Sequence, residues 1–473
     1  MMNVAVSDSS FSYDVHSLVK AFFPEEDIKI VGINDEAALH VAVGKDTVSV
    51  SADRNERTAD RAEQFTALSR PDVKNVLKRN LYSVLSELTG KSLPWGTMTG
   101  IRPVKVPMKM IREGEDDEEA ARYMKSVYLC SDEKARLAVS IAHTELGVIS
   151  SLNPDGFSLY IGIPFCPSTC MYCSFTSYPI ALWAKRTGEY LSALRREIDY
   201  LAGYYRGRRV DSVYIGGGTP TTLSPSELSD LIGHIRASFD TSGLLELTVE
   251  AGRPDSITDE KLRALSGAGV TRISINPQTM NDATLALIGR AHRSEDVYAA
   301  FEKARAAGFS NINTDIILGL PGEDEKMLAH TLTEIKKLSP ESLTVHSLAI
   351  KRAAGMHAYL EEHGVTSVNT EEMMAMAADA AAELGMKPYY LYRQKNMAGN
   401  FENVGYALPG KYGVYNVAIM EEVSDIAAAG AGTISKHVMG SRIERCDNVK
   451  DVGLYMSRID EMIDRKKKLF EGE

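Results

Sequence analysis

A regular alternation of short β-rich runs with longer amphipathic stretches extends from about Leu159 to Ile350 and repeats six times. Each β-rich run is bounded by Gly, Pro or polar residues, and the amphipathic stretches have the periodicity of helices. Repeated units of strand then helix predict a parallel sheet with right-handed crossovers. The predicted strands are Ser158–Ile163, Ser212–Ile215, Glu246–Val249, Arg272–Ile275, Asn313–Leu318 and Ser342–Leu348.

Helix-capping signals lie between the predicted strands. Ser224 and Glu227 form a capping box ahead of a helix predicted over Pro225–Phe239, which has Pro at its first position. Because six units are fewer than the eight of a closed barrel, the pattern leaves two alternatives, an open or partial barrel and a doubly wound sheet. Further helices are predicted over Asp259–Ser266, Glu295–Ala307 and Glu325–Leu338, with Gly269 and Gly308 as C-terminal stops.

Composition excludes several classes of protein. With 473 residues, of which 44% are hydrophobic and 25% charged, the chain can bury a sizeable core, unlike disordered, collagen-like or disulfide-scaffold proteins. Its net charge of −11 argues against a nucleic-acid partner. The sequence has no visible targeting signal and no apolar run of about 18 residues, so we expect a cytoplasmic protein without membrane insertion.

The segments on either side of the alternating region lack its regular order of strand then helix. Residues 1–150 combine β-like runs with polar helices and predict a separate α+β domain of unknown role, in which the acidic run Glu113–Glu119 is a solvated helix start. Residues 151–368 contain the alternating units. Residues 369–473 predict a C-terminal α+β extension that covers the substrate, beginning with an Ala/Met-rich helix over Glu371–Leu384. The β-like runs of the first domain are Ile28–Ile33, Leu39–Val43 and Thr47–Ala52.

Unusual residues fall where the predicted strands end. In parallel β/α architectures the carboxyl ends of the strands lie at one edge of the sheet, where the chemistry collects. We therefore expect these side chains to lie close together. Three cysteines follow the first strand, the Gly216–Pro220 turn ends the second, Glu250 ends the third, Gln278 follows the fourth, and Asp315 lies in the fifth.

Cys166, Cys170 and Cys173 lie within eight residues of one another. In a reducing compartment such a cluster indicates metal or redox chemistry rather than disulfides. Three thiolates from one tight loop suit three corners of an iron–sulfur cubane, whose fourth iron is then open to a small chelating ligand. A zinc site and an inert thiol trio are the alternatives. The isolated Cys130 and Cys446 are predicted to be buried small side chains.

The spacing Cys-x-x-x-Cys-x-Tyr-Cys after a strand resembles the signature of the radical S-adenosylmethionine (SAM) superfamily. Further motifs, most strongly over about residues 160–350, resemble oxygen-independent coproporphyrinogen III oxidases. The N-terminal domain, with its 93–103 block, and the 389–400 block resemble the HemZ-type branch in particular. The motifs are Tyr160–Cys166, Gly216–Pro220, Glu250, Arg272–Gln278, Gly289–His292 and Asp315–Gly322.

This resemblance implies an α/β fold, a partial barrel of six β/α units, with a [4Fe–4S] cluster on the three clustered cysteines. It implies that the open iron chelates SAM and that the Gly216–Pro220 turn lets backbone approach the amino end of SAM. One electron then cleaves SAM, and a 5′-deoxyadenosyl radical takes a hydrogen from a propionate of coproporphyrinogen III. A flavodoxin- or ferredoxin-like electron donor is implied. The implied SAM contacts are Tyr160, Tyr172, Gly217, Gly218, Thr219, Glu250, Gln278, Arg290 and Asp315.

Two positions depart from the pattern of the decarboxylating members. Those members carry a fourth cysteine where this chain has Phe175, and a strand histidine where it has Gly162. The related haem-handling proteins include a haem chaperone, so a haem chaperone or a haem-modifying radical SAM enzyme is the alternative function. Arg393 and Lys395 are candidates to pair with tetrapyrrole propionates, against a role as exposed solvating charges. His292, His330 and His346 are predicted to be packed or capping residues rather than haem ligands, and Ala429–Gly432 a close-packed turn.

Overall fold

The structure, a computed structural model, describes residues 1–54, 56–349, 362, 367–394 and 400–472. Lys395, a predicted propionate partner, lies outside the described residues. The chain forms two compact units, residues 1–143 with 391–402, and residues 144–390 with 403–473. The predicted division into 1–150, 151–368 and 369–473 stays a prediction.

The first unit is a five-stranded mixed sheet with helices packed on it. The strand order is β2-β1-β3-β4-β5, with β1 parallel to β2 and β3 and the remaining pairs antiparallel. Apolar residues of α1 and α2 share one buried core with the sheet. Its elements are β1 (Met2–Val6), α1 (Ser12–Phe22), β2 (Ile28–Gly32), β3 (Leu39–Val43), β4 (Thr47–Arg54), β5 (Arg57–Gln64), α2 (Arg70–Thr89), α3 (Lys105–Arg112), α4 (Asp117–Tyr128) and α5 (Asp132–Ser150), which continues into the second unit.

The second unit contains the alternating region and most of the C-terminal segment. Its strands are β6 (Phe157–Ile163), β7 (Phe165–Cys166), β8 (Tyr178–Pro179), β9 (Val210–Gly217), β10 (Glu246–Gly252), β11 (Arg272–Ile275), β12 (Ile312–Leu318), β13 (Ser342–Ser347), β14 (Lys387–Tyr392), β15 (Asn403–Ala407), β16 (Asp425–Ala429), β17 (Ile434–Met439) and β18 (Arg442–Asp447). Its helices are α6 (Ile180–Trp183), α7 (Thr187–Tyr204), α8 (Pro225–Ser238), α9 (Asp259–Gly267), α10 (Asp282–Leu287), α11 (Ser294–Ala306), α12 (Glu325–Leu338), α13 (Glu371–Glu383), α14 (Val414–Glu421), α15 (Val452–Ser457) and α16 (Ile459–Glu471).

Strand order decides between the two architectures that the sequence left open. The large sheet has the order β14-β15-β13-β12-β11-β10-β9-β6-β16-β17-β18. From β6 to β13 the six predicted strands are parallel neighbours that follow one another in chain order. A doubly wound sheet reverses its strand order at a switch point, and this sheet has no reversal among those six strands. The predicted α/β fold with a partial barrel of six units is therefore confirmed.

The C-terminal segment extends the same sheet at both ends. Strand β16 pairs in parallel with β6, and β17 and β18 continue beyond it as an antiparallel pair. At the other end β15 pairs antiparallel with β13. The segment thus contributes strands to the sheet that carries the cysteine loop.

The strands of the partial barrel alternate polar and apolar residues. On one side lie fully buried apolar side chains such as Leu159, Ile161, Val213 and Ile215, as expected where crossover helices cover a parallel sheet. The opposite side, which we call the polar face, is formed by Ser158, Tyr160, Ser212, Tyr214, Glu246, Thr248, Glu250, Arg272, Ser274, Asn313, Asp315, Ser342, Thr344 and His346.

Among the described residues, no helix is long and apolar enough to cross a membrane.

Candidate functional site

The three clustered cysteines lie in one loop. Cys166 ends β7, and the loop carries Cys170 and Cys173 before it reaches β8, which pairs with β7. The backbone N–H of Cys173 donates to the carbonyl of Cys170 at 3.1 Å, a tight turn within the loop. All three side chains are free thiols and half-buried. Burial raises the pKa of Cys166 to about 11, although a hydrogen bond from Thr219 opposes this increase, and the two neighbouring thiols add smaller increases.

The donor set of this loop fits an iron–sulfur cluster. The thiols lie near enough to influence one another electrostatically, and buried Arg253 and Arg290 provide positive charge beside them. In the described part of the chain, no three His, Cys, Asp or Glu side chains converge as ligands of a single metal ion do. Cubane ligands each bind a different iron atom, so their sulfur atoms need not converge on one point.

The glycine turn after β9 docks against the strand that carries Cys166. The N–H of Gly218 donates to the Ile163 carbonyl, and the N–H of Thr219 donates to the Phe165 carbonyl, both at 2.7 Å. The Thr219 hydroxyl lies 3.5 Å from the Cys166 sulfur. A Cβ at position 218 would lie 2.6 Å from the Phe165 carbonyl oxygen, so the protein's own backbone already requires glycine there. The predicted approach of a ligand to this turn stays a prediction.

Two tyrosines and Glu250 form the next part of the site. The Tyr160 ring stacks on Tyr214, and both rings stack on Tyr415 from α14. The Tyr214 hydroxyl donates to the Glu250 carboxylate. A Cβ at Gly216 would lie 3.2 Å from the carboxyl carbon of Glu250, so this glycine leaves room for the carboxyl group. Burial, and to a smaller extent the charge of Asp315, raise the pKa of Glu250 to about 7.

Asp315 and Gln278 are joined through the backbone. The N–H of Gln278 donates to the Asp315 carbonyl at 3.0 Å, and Gln278 adopts a left-handed conformation with φ +72°. The Asp315 carboxylate accepts from Asn313 at 2.7 Å and lies 3.5 Å from His346 Nε2. Burial alone would raise the pKa of Asp315, but the contacts with His346 and Asn313 outweigh it and hold the pKa below its usual range. The side-chain oxygen of buried Gln278 has no hydrogen-bond partner among the described residues.

Arg290 connects this region to the cysteine loop. Its guanidinium is buried and donates to the Asn276 carbonyl and to Tyr172, which lies between Cys170 and Cys173. Asn276 in turn accepts a hydrogen bond from the backbone of Asp315 at 3.2 Å. Eight of the nine predicted SAM contacts thus lie on the polar face or in the cysteine, glycine and Arg290 segments, and the ninth, Gln278, is hydrogen-bonded through its backbone to Asp315 of that face. Their role in SAM binding stays a prediction.

Accessibility separates two layers of the polar face. The residues that lie two positions earlier on the same strands are buried, with at most 5% of each accessible: Ser158, Ser212, Thr248, Asn313 and Thr344. The layer nearer the cysteine loop is half-buried; we call it the accessible layer. Its residues are Tyr160, Tyr214, Glu250, Asp315 and His346.

Gly162, where the decarboxylating members have a histidine, is packed against the predicted 429–432 turn. A Cβ at Gly162 would lie 2.5 Å from the Thr433 methyl group, and a Cβ at Gly430 would lie 2.5 Å from the Gly162 carbonyl. The Tyr190 hydroxyl donates to that carbonyl at 2.7 Å and accepts from the N–H of Ala431 at 3.0 Å. The prediction of a close-packed turn is confirmed, and the space of a side chain at 162 is filled by Thr433.

Other predicted residues lie elsewhere. Arg393 belongs to the first unit, where its buried guanidinium donates to Met98 and Asn400. The expectation of an exposed solvating charge is therefore wrong for Arg393, since only 5% of the residue is accessible. Cys130 and Cys446 are buried as predicted. His292 is buried, and exposed His330 lies 3.9 Å from Glu334.

Sequence reasoning missed several residues of the site. Tyr214 and Asn276 share the two-residue spacing of the polar face with predicted Glu250 and Asp315, and that alternation could have identified them. Tyr415 had no such signal because it reaches the site from a distant helix. Arg253 directly follows the strand that ends at Gly252. Its contact with the cysteine loop depends on the conformation of its side chain, which the sequence does not specify.

Comparisons with known proteins show which family this chain is similar to. The model of the radical SAM superfamily matches residues 160–335. The chain is 41% identical over 428 residues to the oxygen-independent coproporphyrinogen-III oxidase-like protein HemZ of Bacillus subtilis, across 86% of this chain and 85% of that protein. It is also 41% identical over 195 residues to the heme chaperone HemW of Bacillus subtilis, across 41% of this chain and 51% of that protein. The structure of the radical SAM enzyme coproporphyrinogen III oxidase (HemN) from Escherichia coli aligns with a TM-score of 0.53 at 24% identity, over 67% of this chain and 72% of that one, which shows the shared fold.

Proposed function

We propose that this chain catalyses oxidative decarboxylation of coproporphyrinogen III. The proposal rests on its family: the chain belongs to the radical SAM superfamily and, within it, to the oxygen-independent coproporphyrinogen-III oxidase-like family. The superfamily uses a [4Fe–4S] cluster and SAM. The product would be protoporphyrinogen IX, with two propionates converted to vinyl groups. A cytoplasmic location and a flavodoxin- or ferredoxin-like electron donor are part of this proposal.

One observation supports the proposal most strongly. The accessible layer places polar side chains beside a loop with three free thiols, while the layer beneath it is closed. Glu250, Asp315 and Gln278 offer carboxylate and amide groups that suit an ammonium group and ribose hydroxyls.

When bound, the reduced cluster would supply the one electron that cleaves SAM to methionine and a 5′-deoxyadenosyl radical. The chain's own residues hold and orient SAM, with Arg290 fixing Tyr172 next to the thiols. Each decarboxylation then transfers one hydrogen atom from a propionate to the 5′-deoxyadenosyl group. Loss of carbon dioxide and of one electron to an acceptor leaves the vinyl group, so two SAM molecules are consumed per product.

Haem handling is the second candidate function, and two residues favour it. Thr433 fills the space next to Gly162, so a histidine there has no room. Phe175 takes the place of the fourth cysteine and is 75% exposed. A haem chaperone would bind haem in a fixed ratio without consuming SAM, whereas a haem-modifying enzyme would consume SAM only with haem.

An anaerobic assay separates these functions. Reconstituted protein is incubated with SAM, dithionite and an electron acceptor, and with either coproporphyrinogen III or haem, and both tetrapyrroles and 5′-deoxyadenosine are followed by mass spectrometry. The proposal predicts stepwise loss of two carbon dioxide units with matching 5′-deoxyadenosine. The Cys170→Ala variant, which lacks one cluster ligand, should lose cluster iron and all SAM cleavage. Unchanged coproporphyrinogen with bound or altered haem would contradict the decarboxylase and support haem handling.

A further inference from the structure

Arg253 is a buried cation that is not among the predicted site residues. It follows directly after β10 and is only 3% accessible. Its Nε and Nη2 atoms donate to the two carboxylate oxygens of Asp255 at 2.9 Å and 2.7 Å. A bidentate pair of this kind fixes the plane of the guanidinium. The remaining nitrogen, Nη1, is therefore held in a defined direction.

Nη1 points to the cysteine loop. It donates to the hydroxyl of Ser168 at 2.9 Å and to the Ser168 carbonyl at 3.2 Å, and it lies 3.7 Å from the sulfur of Cys170. The same loop is tied on its other side, because the Ser168 hydroxyl also lies 3.2 Å from the Gly289 carbonyl, to which it donates. Arg253 therefore contacts both the backbone of the loop and one of its thiols.

We propose that Arg253 is a positioning residue that orients Cys170 and raises the reduction potential of the cluster. Reduction of a [4Fe–4S]²⁺ cluster to the 1+ state adds one electron and no proton, so the cluster becomes more negative. A cation that hydrogen-bonds to a ligand sulfur stabilises the reduced state more than the oxidised state. Because the guanidinium is buried, water screens its charge weakly. This inference rests on the cluster and not on the tetrapyrrole that the protein uses.

For Asp255 the proposal predicts a change in reduction potential opposite to that for Arg253. Its carboxylate lies against the guanidinium and offsets part of the positive charge that the cluster experiences. Asparagine at position 255 can still accept one hydrogen bond from Arg253 but has no negative charge. Loss of the Asp255 charge should therefore raise the potential, whereas loss of the Arg253 charge should lower it.

The test is a redox titration of the reconstituted full-length protein, without tetrapyrrole, using dithionite as the one-electron reductant and electron paramagnetic resonance as the readout. For Arg253→Met we expect about a tenfold lower ratio of reduced to oxidised cluster at a fixed potential, equivalent to about 59 mV for a one-electron couple. For Asp255→Asn we expect a shift in the opposite direction. Arg263→Met is the matched control, because Arg263 is an exposed arginine that pairs with Glu260 on the same helix, and the potential of this variant should equal that of the wild type.

Iron content is measured for every variant, so that a failure to assemble the cluster is distinguished from a changed potential. If Arg253→Met binds no iron, Arg253→Lys, which retains the charge, and Asp255→Asn decide the question. For Arg253→Lys we expect a potential close to that of the wild type. An Asp255→Asn potential equal to or lower than that of the wild type would overturn the proposal. Because no tetrapyrrole is present, these outcomes do not depend on which tetrapyrrole reaction is correct.

Discussion

Glu250 and Asp315 show how different surroundings give two carboxyl groups of the same site different pKa values. Both lie in the accessible layer, but Glu250 has a tyrosine as its hydrogen-bond donor, whereas Asp315 lies beside His346 and Asn313. Burial raises the pKa of Glu250 to about 7, while the partners of Asp315 hold its pKa below the usual range. Around neutral pH one group therefore exchanges protons and the other stays a carboxylate.

The raised pKa of Glu250 predicts a pH-dependent stability. Between its ordinary pKa of 4.5 and about 7, the folded state binds a proton that the unfolded state releases, so stability falls as pH rises through this window. The loss is roughly 3 kcal/mol at about 1.4 kcal/mol per pH unit. Glu250→Gln removes this dependence, so the variant should become more stable relative to the wild type from pH 5 to pH 8.

Urea unfolding of the apo-protein, followed by circular dichroism at several pH values, measures this difference. Glu372→Gln, which changes an exposed glutamate of α13, is the control and should show no such trend. A difference between the wild type and Glu250→Gln that stays constant with pH would show that Glu250 is ionised throughout.

Gly162 and Thr433 predict a compensating pair of substitutions. Gly162→Ala places a methyl group 2.5 Å from the Thr433 methyl carbon and should destabilise the protein by about 1–3 kcal/mol. Thr433→Ser removes that methyl carbon, so the double variant should recover most of the loss. Gly233→Ala is the control, since its Cβ would meet nothing within 4 Å. Unfolding free energies that simply add in the double variant would show that the two positions are not in contact.

At the scale of elements, local signals predicted the strands of the partial barrel well. The strand Arg272–Ile275 and the helix Glu325–Leu338 have the predicted bounds, and the capping box at Ser224 is present. The β16 strand was missed because its sequence, Asp-Ile-Ala-Ala-Ala, has little β propensity and its partner lies far away in the chain. The β5 strand was missed for a different reason, because it is a polar and largely exposed edge strand.

In the site, too, residues with local sequence motifs could be predicted and residues placed by distant contacts could not. The cysteines, the glycine turn and the strand-end carboxylates carry local motifs, so they could be predicted together. Side chains that reach the site from elsewhere, such as Tyr415 and Arg253, could not be predicted, because packing between distant elements decides where they point.

A buried ion pair connects the C-terminal helix α16 to α7. Lys466 and Glu197 are both inaccessible, and their charged atoms lie 2.5 Å apart. Glu197 also accepts hydrogen bonds from Tyr455, Asn448 and the N–H of Gly430. The pair thus fixes the helix and the turn that packs against Gly162.

Lys466→Met should destabilise the second unit by about 3–5 kcal/mol, because it leaves the buried carboxylate without its cation. A double variant with Glu197→Gln should recover part of this loss. Lys467→Met removes a neighbouring surface lysine that pairs with Asp464, and it should cost less than about 0.5 kcal/mol. Urea unfolding measures all three variants, and equal losses for Lys466→Met and Lys467→Met would contradict the role of the buried pair.

At the scale of the whole molecule, the chain leaves the second unit and returns to it. Residues 391–402 belong to the first unit, although they come from the C-terminal part of the sequence. There Glu402 is fully buried, accepts from the indole N–H of Trp95 at 2.7 Å and lies 2.9 Å from Lys134. This returning segment therefore completes the interior of the first unit.

Glu402→Gln should destabilise the first unit by about 2 kcal/mol or more, because buried Lys134 then faces an amide in place of a carboxylate. Hydrogen exchange measured by mass spectrometry should show faster exchange in α2 and α5 peptides of the first unit than in the wild type. Peptides of β6 and β9 in the second unit should change less. Equal acceleration in both units would mean that they unfold as one cooperative body.

The central claim is that the accessible layer holds SAM for radical chemistry on a tetrapyrrole propionate. The most direct test uses coproporphyrinogen III deuterated on its propionate methylene groups, in an anaerobic reaction with SAM, dithionite and an electron acceptor, with mass analysis of the 5′-deoxyadenosine. Our account predicts 5′-deoxyadenosine that carries one deuterium for each carbon dioxide released. Unlabelled 5′-deoxyadenosine, or none beyond the level without substrate, would contradict it.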